Sequence, residues 1–301
     1  MPGAGRTAER HRRLVEIGRR DVAVARLAEA HTDALAILHE AGRAPRPDAR
    51  YGVWAAEDPT AGLRLAAPTP HDAGHLSGSK AFCTGAGLVT RALITVPGPG
   101  GVTLLDVDLG DAARITVDTS SWVTSAFAGT KTGVVTFDQV PIDTDDVIGG
   151  DGWYLDRPGF WHGACGPAAC WAGGAIGLID WAVDVSASRP AEPHRDAHLG
   201  ALSALRWQML AVLDTAGDQI DLEPTDAETA LQRALIVRHL IERAATEVID
   251  RIGRATGPRP FAFDAEISRR LAEVQLYIRQ CHAERDLDTL GRAIREHAPP
   301  P

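Results

Sequence analysis

The stretches LSGSKAFCTGA, residues 76–86, and VVTFDQVPIDTDDVIG, residues 134–149, decide the fold class of this chain. In both, glycine, proline or aspartate interrupts short apolar runs, as is typical of strands and turns. Two further apolar runs lie between them, at residues 92–96 and 103–107. Because no helix-length apolar pattern interrupts residues 51–149, these runs predict a β-sandwich or barrel and disfavour a doubly wound parallel sheet.

The sequence on either side of this region has the 3.6-residue period of helices. A first helical pattern covers residues 14–41, and a linker with two prolines follows at residues 43–50. Near residue 155 the period changes back, which predicts four long helices: about 160–187, about 199–213, about 226–255 and from 264 onward. Long helices in series predict a bundle. We therefore predict an α+β multidomain protein: a short helical N-terminal segment (1–50), a central antiparallel β-barrel (51–150) and a C-terminal four-helix bundle (151–301).

The composition excludes several classes of protein. A chain of 301 residues with 45% hydrophobic and 24% charged residues can bury a core, unlike a disordered chain. The net charge of −9 argues against nucleic acid as a partner, since phosphate binding needs a basic surface. No apolar run approaches the ~20 residues of a membrane span, and no secretory signal is evident. The four cysteines contain no CxxC pair, which favours a reducing compartment, the cytoplasm. His194 and His198 have the spacing of metal ligands on a helix, but no third ligand is evident, so we predict no metal site.

The order of these regions and their motifs resemble the acyl-CoA dehydrogenase superfamily of FAD flavoproteins. Residues 76–86 are similar to the family's Leu-x-Gly-x-Lys-x-Trp-Ile-Thr-x-Ala strand. Residues 134–149 are similar to its Val-x-Phe-x-x-Val-x-Val-Pro segment with the following Val-Leu-Gly, and residues 54–59 to its Thr-Glu-Pro turn. The resemblance covers roughly residues 14–292 and implies a divergent member with a shortened N-terminal domain.

The resemblance implies a flavin site on the β-region, at Trp54, Ala56, Glu57, Phe82, Cys83 and Thr84. A flavin ring needs an apolar wall and a few hydrogen-bonding groups. Phe82 stands where the family places a Trp against the ring, and Thr84 where a Thr donates to flavin N5. Strand alternation predicts that both side chains face the same side. Ala56 replaces the family's Thr, so one hydroxyl contact is lost.

The adenine half of FAD would be held by the helical region. The family uses an Arg after the first bundle helix, and Arg189 or Arg195 stands in the corresponding stretch. Gly253 and Gly257 lie where the family has a glycine-rich turn. Taken singly, each arginine is more typical of a solvated surface residue than of a cofactor ligand.

The family's catalytic glutamate is not recognisable in this sequence. Arg279 occupies its position by counting, and a guanidinium cannot accept a proton. His282 and Glu284 are the nearby groups that could move protons, and both are also typical of a helix surface. His31 lies on the apolar face of the first helix, either as a core histidine or on the substrate side.

Three functions follow from this resemblance. The first is an acyl-CoA dehydrogenase-like oxidoreductase acting on a CH–CH unit of an acyl thioester or related carrier-bound substrate. The second is a flavin-dependent monooxygenase of the same superfamily, which needs no glutamate base. The third is a non-catalytic flavin-binding or assembly subunit. The family implies a dimer or tetramer or a related partner chain. Wide apolar faces on two helices favour such an oligomer: Trp171, Ile176, Leu178 and Trp181 on one, and Leu205, Trp207, Leu210 and Leu213 on the other.

Overall fold

The computed structural model describes residues 1–57, 62–66 and 74–296. The chain divides into two compact units. We call Leu27–Phe160 the sheet unit, and Met1–Arg26 with Trp161–Pro301 the helical unit. Residues 1–26 thus pack with the C-terminal helices rather than standing with a separate N-terminal segment. The three-part division at 50 and 150 stays a prediction.

The sheet unit contains eight strands within the described ranges, and they follow the apolar runs of the sequence. They are β1 Tyr51–Trp54, β2 Arg64–Leu65, β3 Gly74–Cys83, β4 Arg91–Gly98, β5 Gly101–Asp108, β6 Ile115–Asp118, β7 Gly133–Ile142 and β8 Val147–Ile148. They form two four-stranded sheets, with orders β1-β4-β5-β8 and β2-β3-β7-β6. All pairs are antiparallel except β1 with β4, which is parallel.

Among the described residues, the two sheets do not close into the predicted barrel. Each has an open strand order with its own edge strands. Their inner faces share one core, to which Trp54 and Ile94 contribute from one sheet and Leu76 and Phe137 from the other. Two layers around one core form a sandwich, which was the other possibility that the short runs allowed.

The apolar run at residues 92–96 is continuous because β4 is covered on both faces. Ile94 points into the core between the sheets, whereas Leu93 packs against Ile37 and Leu38 of the preceding helix. A strand buried on both faces does not alternate between apolar and polar residues.

The N-terminal helical pattern forms two helices, α1 Thr7–Arg20 and α2 Val22–Glu40, rather than the single helix that we predicted. Asp21 separates them, with an extended backbone at φ −154° and ψ 117°. Its side chain accepts a hydrogen bond from the Val24 backbone N–H at 3.0 Å. Aspartate favours such a cap because its oxygen satisfies an amide that has no partner within the helix.

The remaining helices follow the sheet region in sequence. They are α3 Trp153–Asp156, α4 Pro158–Gly163, α5 Cys165–Ala187, α6 Pro193–Leu222, α7 Ala227–Thr256, α8 Arg259–Phe263, α9 Ala265–Tyr277 and α10 Glu284–Glu296. Helices α5, α6, α7 and α9 are the four long helices predicted from the period. Their packing is broader than a four-helix bundle, because α1 lies against both α5 and α6.

Most apolar side chains of α5 are buried inside the helical unit. Trp171, Ile176 and Leu178 are all at most 4% exposed, whereas Trp181 of the same predicted face is half-buried. An oligomer surface on this helix stays a prediction. The stretch Pro158–Ala187 is long and apolar enough to cross a membrane, but 72% of its apolar 18-residue window is buried within the protein. Such burial is typical of the core helix of a soluble protein.

Candidate functional site

The strand β3, which carries the motif at residues 76–86, is distorted near its end. The register of β3 against β7 shifts between Lys80 and Cys83, and Phe82 has a left-handed backbone with φ 57°. A β-bulge of this kind redirects side chains, and bulges are frequent beside active sites. The Phe82 ring is 63% exposed, whereas Cys83 next to it is fully buried. The bulge thus presents an aromatic ring at the surface of the sheet unit.

The strand alternation from which we predicted that Phe82 and Thr84 face the same side does not apply to these two residues. Alternation requires a regular strand, but β3 carries the bulge and ends at Cys83. Thr84 lies in the turn beyond the strand and is half-buried. Its position depends on the tertiary contacts of that turn.

Trp54 and a group of threonines fix this turn. The Trp54 ring is 2% exposed, and its Nε1–H donates to the Thr84 carbonyl at 3.0 Å. The Thr84 hydroxyl accepts a hydrogen bond from Thr132 Oγ1 at 3.3 Å, and Thr132 is linked to Thr130 at 2.9 Å. Trp54 is therefore an anchor rather than a wall for a ligand. Thr130 and Thr132 could not be found from the sequence, because their contact with Thr84 joins turns that are distant along the chain.

Three of the predicted positions contribute little chemistry of their own. Ala56 and Glu57 are exposed at the end of β1, and Asp58 and Pro59, which complete the predicted turn, lie outside the described residues. The Cys83 thiol donates to the Lys80 carbonyl at 3.1 Å. Burial raises the pKa of Cys83 to about 12, so the thiol stays protonated and unreactive at neutral pH.

These residues fit the ring of a flavin. An exposed aromatic side chain supplies stacking area, and the nearby Thr84 hydroxyl supplies a polar contact. Phe82 would pack on the ring and Thr84 would hydrogen-bond to it. The bound flavin would supply transfer of a hydride or activation of oxygen.

His31 is held within the sheet unit. Its Nδ1 accepts a hydrogen bond from the Tyr51 backbone N–H at 3.2 Å, and its ring stacks on that of Tyr51 with centroids 6.4 Å apart. Burial lowers the pKa of His31, which favours the neutral ring that this acceptor role requires. The Tyr51 hydroxyl donates to Asp106 at 3.2 Å, so this part of the sheet unit is a polar structural network.

The proposed adenine-side residues lie at one end of the helical unit. Arg189 is exposed after the end of α5, and Arg195, in the first turn of α6, donates to the Pro190 carbonyl. Gly253 lies near the end of α7, and Gly257 ends that helix with φ 72°.

Arg279 lies at the other end of the helical unit. Arg238 on α7 donates to the Ala164 carbonyl at the start of α5 and to the Gln280 carbonyl beside Arg279. Since α5 has 23 residues, its two ends are about 35 Å apart. The structure therefore does not bring Arg279 together with Arg189.

The three candidate catalytic groups have ordinary structural surroundings. Arg279 pairs with Glu242, whose side chain is only 7% exposed. The His282 ring lies 3.3 Å from Asp286, and Glu284 is exposed in the first turn of α10. Glu242 is the residue that the sequence analysis missed, although an acid on the apolar face of α7 is a usable signal. Arg279 thus serves to neutralise a buried carboxylate.

In the described part of the chain, no group of three or more metal-binding side chains comes together. His194 is exposed and His198 half-buried in the first turns of α6.

No protein-family model matches the chain, and no curated protein matches its sequence. Solved structures do match. FMN-bound TdsC from Paenibacillus sp. A11-2, a dibenzothiophene monooxygenase, is similar with a TM-score of 0.84 and 18% identity over 97% of this chain and 84% of its own. Methanesulfinate monooxygenase MsuC from Pseudomonas fluorescens is similar with a TM-score of 0.78 and 18% identity, over 98% of this chain and 84% of its own. KijD3, solved with FMN and a dTDP-sugar, has a TM-score of 0.78 and 17% identity over 89% of this chain and 74% of its own.

At these identities the likeness establishes the fold. The chain has the fold of TdsC, MsuC and KijD3.

Proposed function

We propose that this chain is a flavin-dependent oxidoreductase whose flavin ring packs against Phe82. The observation that carries the proposal is the bulge at the end of β3, which exposes 63% of an aromatic residue inside the flavin motif. The fold shared with flavin monooxygenases supports it.

For the reaction class we favour monooxygenation, with dehydrogenation of an acyl thioester as the second candidate. A dehydrogenase needs a carboxylate that takes the substrate α-proton. Arg279, at the position of the family's base, pairs with Glu242, and this leaves Glu284 as the acid that could serve. A monooxygenase makes no such demand, and two of the similar structures are monooxygenases.

Within this proposal the chain's own residues position the flavin. Phe82 would stack on the ring and exclude water from it, and the bulge keeps that side chain outside the core. Thr84 offers a hydroxyl whose direction is set by its bond to Thr132. Trp54 holds the Thr84 backbone in place through the hydrogen bond from its Nε1–H to the Thr84 carbonyl.

The identity of the flavin is a separate question. The family resemblance favours FAD, with Arg189, Arg195, Gly253 and Gly257 as its adenine-side residues. TdsC and KijD3 were solved with FMN, which has no adenine half. Mass spectrometry of the flavin released from the purified chain distinguishes the two. If FAD is bound, Arg189→Ala weakens its binding but leaves FMN binding unchanged.

Flavin titration followed by fluorescence quenching tests the site. We expect Phe82→Ala to weaken binding about 2- to 12-fold, from lost stacking of ~0.5–1.5 kcal/mol. We expect Thr84→Val to have a similar effect, from one lost hydrogen bond. His198→Ala, a change in the helical unit, is the control and keeps wild-type affinity. Equal affinities of all four proteins would contradict the proposal.

Oxygen consumption distinguishes the reaction classes. A monooxygenase consumes oxygen when reduced flavin and an organic substrate are both supplied. It does not transfer electrons from fatty acyl-CoA thioesters to an artificial electron acceptor. Dehydrogenation of such thioesters at ~1–1000 per second, abolished by Glu284→Gln, would overturn this choice and make Glu284 the base. A chain that takes up no flavin would instead be the non-catalytic subunit. A small-molecule acyl or carrier-bound substrate belongs to the dehydrogenase alternative alone.

A further inference from the structure

The sheet unit contains a cleft of about 420 Å³ between β3, β4, β5 and the connection after β1. Its volume is within the range of ligand pockets, about 300–1,000 Å³. The wall is mostly apolar and is formed by Leu63, Ala81, Pro97, Val102 and Leu155. Phe82 and Thr84, the two side chains that we propose for the flavin ring, do not line it, although Glu57 of the predicted flavin site does.

Lys80 places a positive charge in this apolar wall. The residue is 5% exposed, and its Nζ donates to the Thr95 carbonyl at 2.7 Å and to the Thr95 hydroxyl at 3.0 Å. An ammonium group has three donors, so these two neutral acceptors leave one donor without a partner among the described residues. Among the described residues no carboxylate forms an ion pair with it.

A buried cation without a counter-ion is costly, because removal from water disfavours the charged form by several kcal/mol. Burial accordingly lowers the pKa of Lys80, and the electrostatic interactions with Cys83 and Glu57 oppose this only in part. An anion bound in the cleft would supply the missing charge and occupy the unused donor. Charge-assisted hydrogen bonds of this kind are stronger than neutral ones.

We propose that the cleft is a binding site for a small amphipathic carboxylate. The carboxylate accepts a hydrogen bond from Lys80 Nζ, and the apolar body packs against Val102, Pro97 and Leu155. The proposal does not depend on the flavin site, and it fails or succeeds separately from it.

The two lysines of the chain allow a direct test. They are Lys80 and Lys131, and Lys131 is exposed, so a protein labelled with 13C at lysine Cε gives one signal from the cleft and one internal control. Octanoate is the probe, and octanamide is its uncharged match with the same shape. We expect octanoate to shift the Lys80 signal saturably and to raise its titration midpoint, whereas Lys131 does not respond. Octanamide should bind at least about tenfold more weakly.

Two variants complete the test, with octanoate affinity measured by calorimetry. Lys80→Met should lower the affinity at least about tenfold, and Lys131→Met should leave it unchanged. Because Lys80→Met also removes the bonds to Thr95 and can affect folding, Leu155→Trp serves as a second variant. Leu155 is 42% exposed at the cleft, so a larger side chain there blocks entry without disturbing the core.

Three results would overturn the proposal. Equal affinity for octanoate and octanamide would show that the charge of Lys80 plays no part in binding. An unmoved Lys80 signal at saturating octanoate would place binding elsewhere. Competition between octanoate and FMN in flavin-loaded protein would make the cleft part of the flavin site.

Discussion

The close packing of α1 on α5 predicts that Gly173→Ala destabilises the protein, although alanine is the better helix former. A Cβ atom at residue 173 would lie 2.4 Å from the Val15 carbonyl oxygen, 2.9 Å from Gly18 Cα and 3.0 Å from the Arg19 amide nitrogen. All three are backbone atoms of α1, so no side-chain rotation relieves the clash. The two helices must therefore separate.

The magnitude follows from two opposing contributions. Overpacking costs typically about 1–3 kcal/mol, and backbone obstacles on three sides put this site at the upper end. Higher helix propensity offsets about 1 kcal/mol of that cost. We expect the free energy of unfolding to fall by about 2 kcal/mol, and the melting temperature by about 4–8 °C.

Gly200→Ala on α6 is the matched control. A Cβ at residue 200 meets nothing within 4 Å, so only the propensity term remains. This variant should be more stable than wild type by about 0.5–1 kcal/mol. Urea unfolding followed by circular dichroism measures both variants. If Gly173→Ala stabilised the protein as much as Gly200→Ala does, the close approach of α1 to α5 would be refuted.

Three more perturbations have defined outcomes. Arg279→Ala should destabilise the protein by about 1–2 kcal/mol in urea unfolding, because it leaves the buried Glu242 unpaired; the effect is limited because Arg279 is half exposed. Burial lowers the pKa of His11, whose Nδ1–H donates to the Leu213 carbonyl at 2.9 Å, so the unfolded chain binds a proton more readily than the folded one. Stability should therefore fall as the pH drops below about 6.5, and His11→Gln should melt with a smaller loss between pH 7.5 and 5.5. Trp207 on α6 is 74% exposed, and we predict that it contributes to a homo-oligomer interface. Trp207→Arg should then leave a monomer of 32.0 kDa in sedimentation. A sedimentation coefficient equal to that of the wild type would exclude this face of α6 as the interface.

The local periodicity of the sequence determined which segments are strands and which are helices. The runs at 92–96 and 103–107 became β4 and β5, and the 3.6-residue period beyond residue 155 became α5, α6, α7 and α9. Periodicity reports how a segment exposes one side to a core, and this is a property of neighbouring residues. The motifs at 76–86 and 134–149 also implied the β-region, which the structure shows as two sheets.

The tertiary structure alone decided how these segments meet. Closure into a barrel depends on the pairing of edge strands, and nothing in a strand's own sequence records that pairing. The same holds for the partner of Arg279, since Glu242 lies 37 residues away along the chain.

The candidate site shows this division most clearly. The motif around Phe82 could be recognised from residues 76–86, but its geometry depends on a bulge against β7 and on a Trp54 side chain 30 residues away. The motif contains Lys80, but its sequence does not show that the Lys80 ammonium group contacts Thr95 of β4. Contacts between distant segments arise only when the chain is folded, because they depend on the packing of whole elements rather than on local preference.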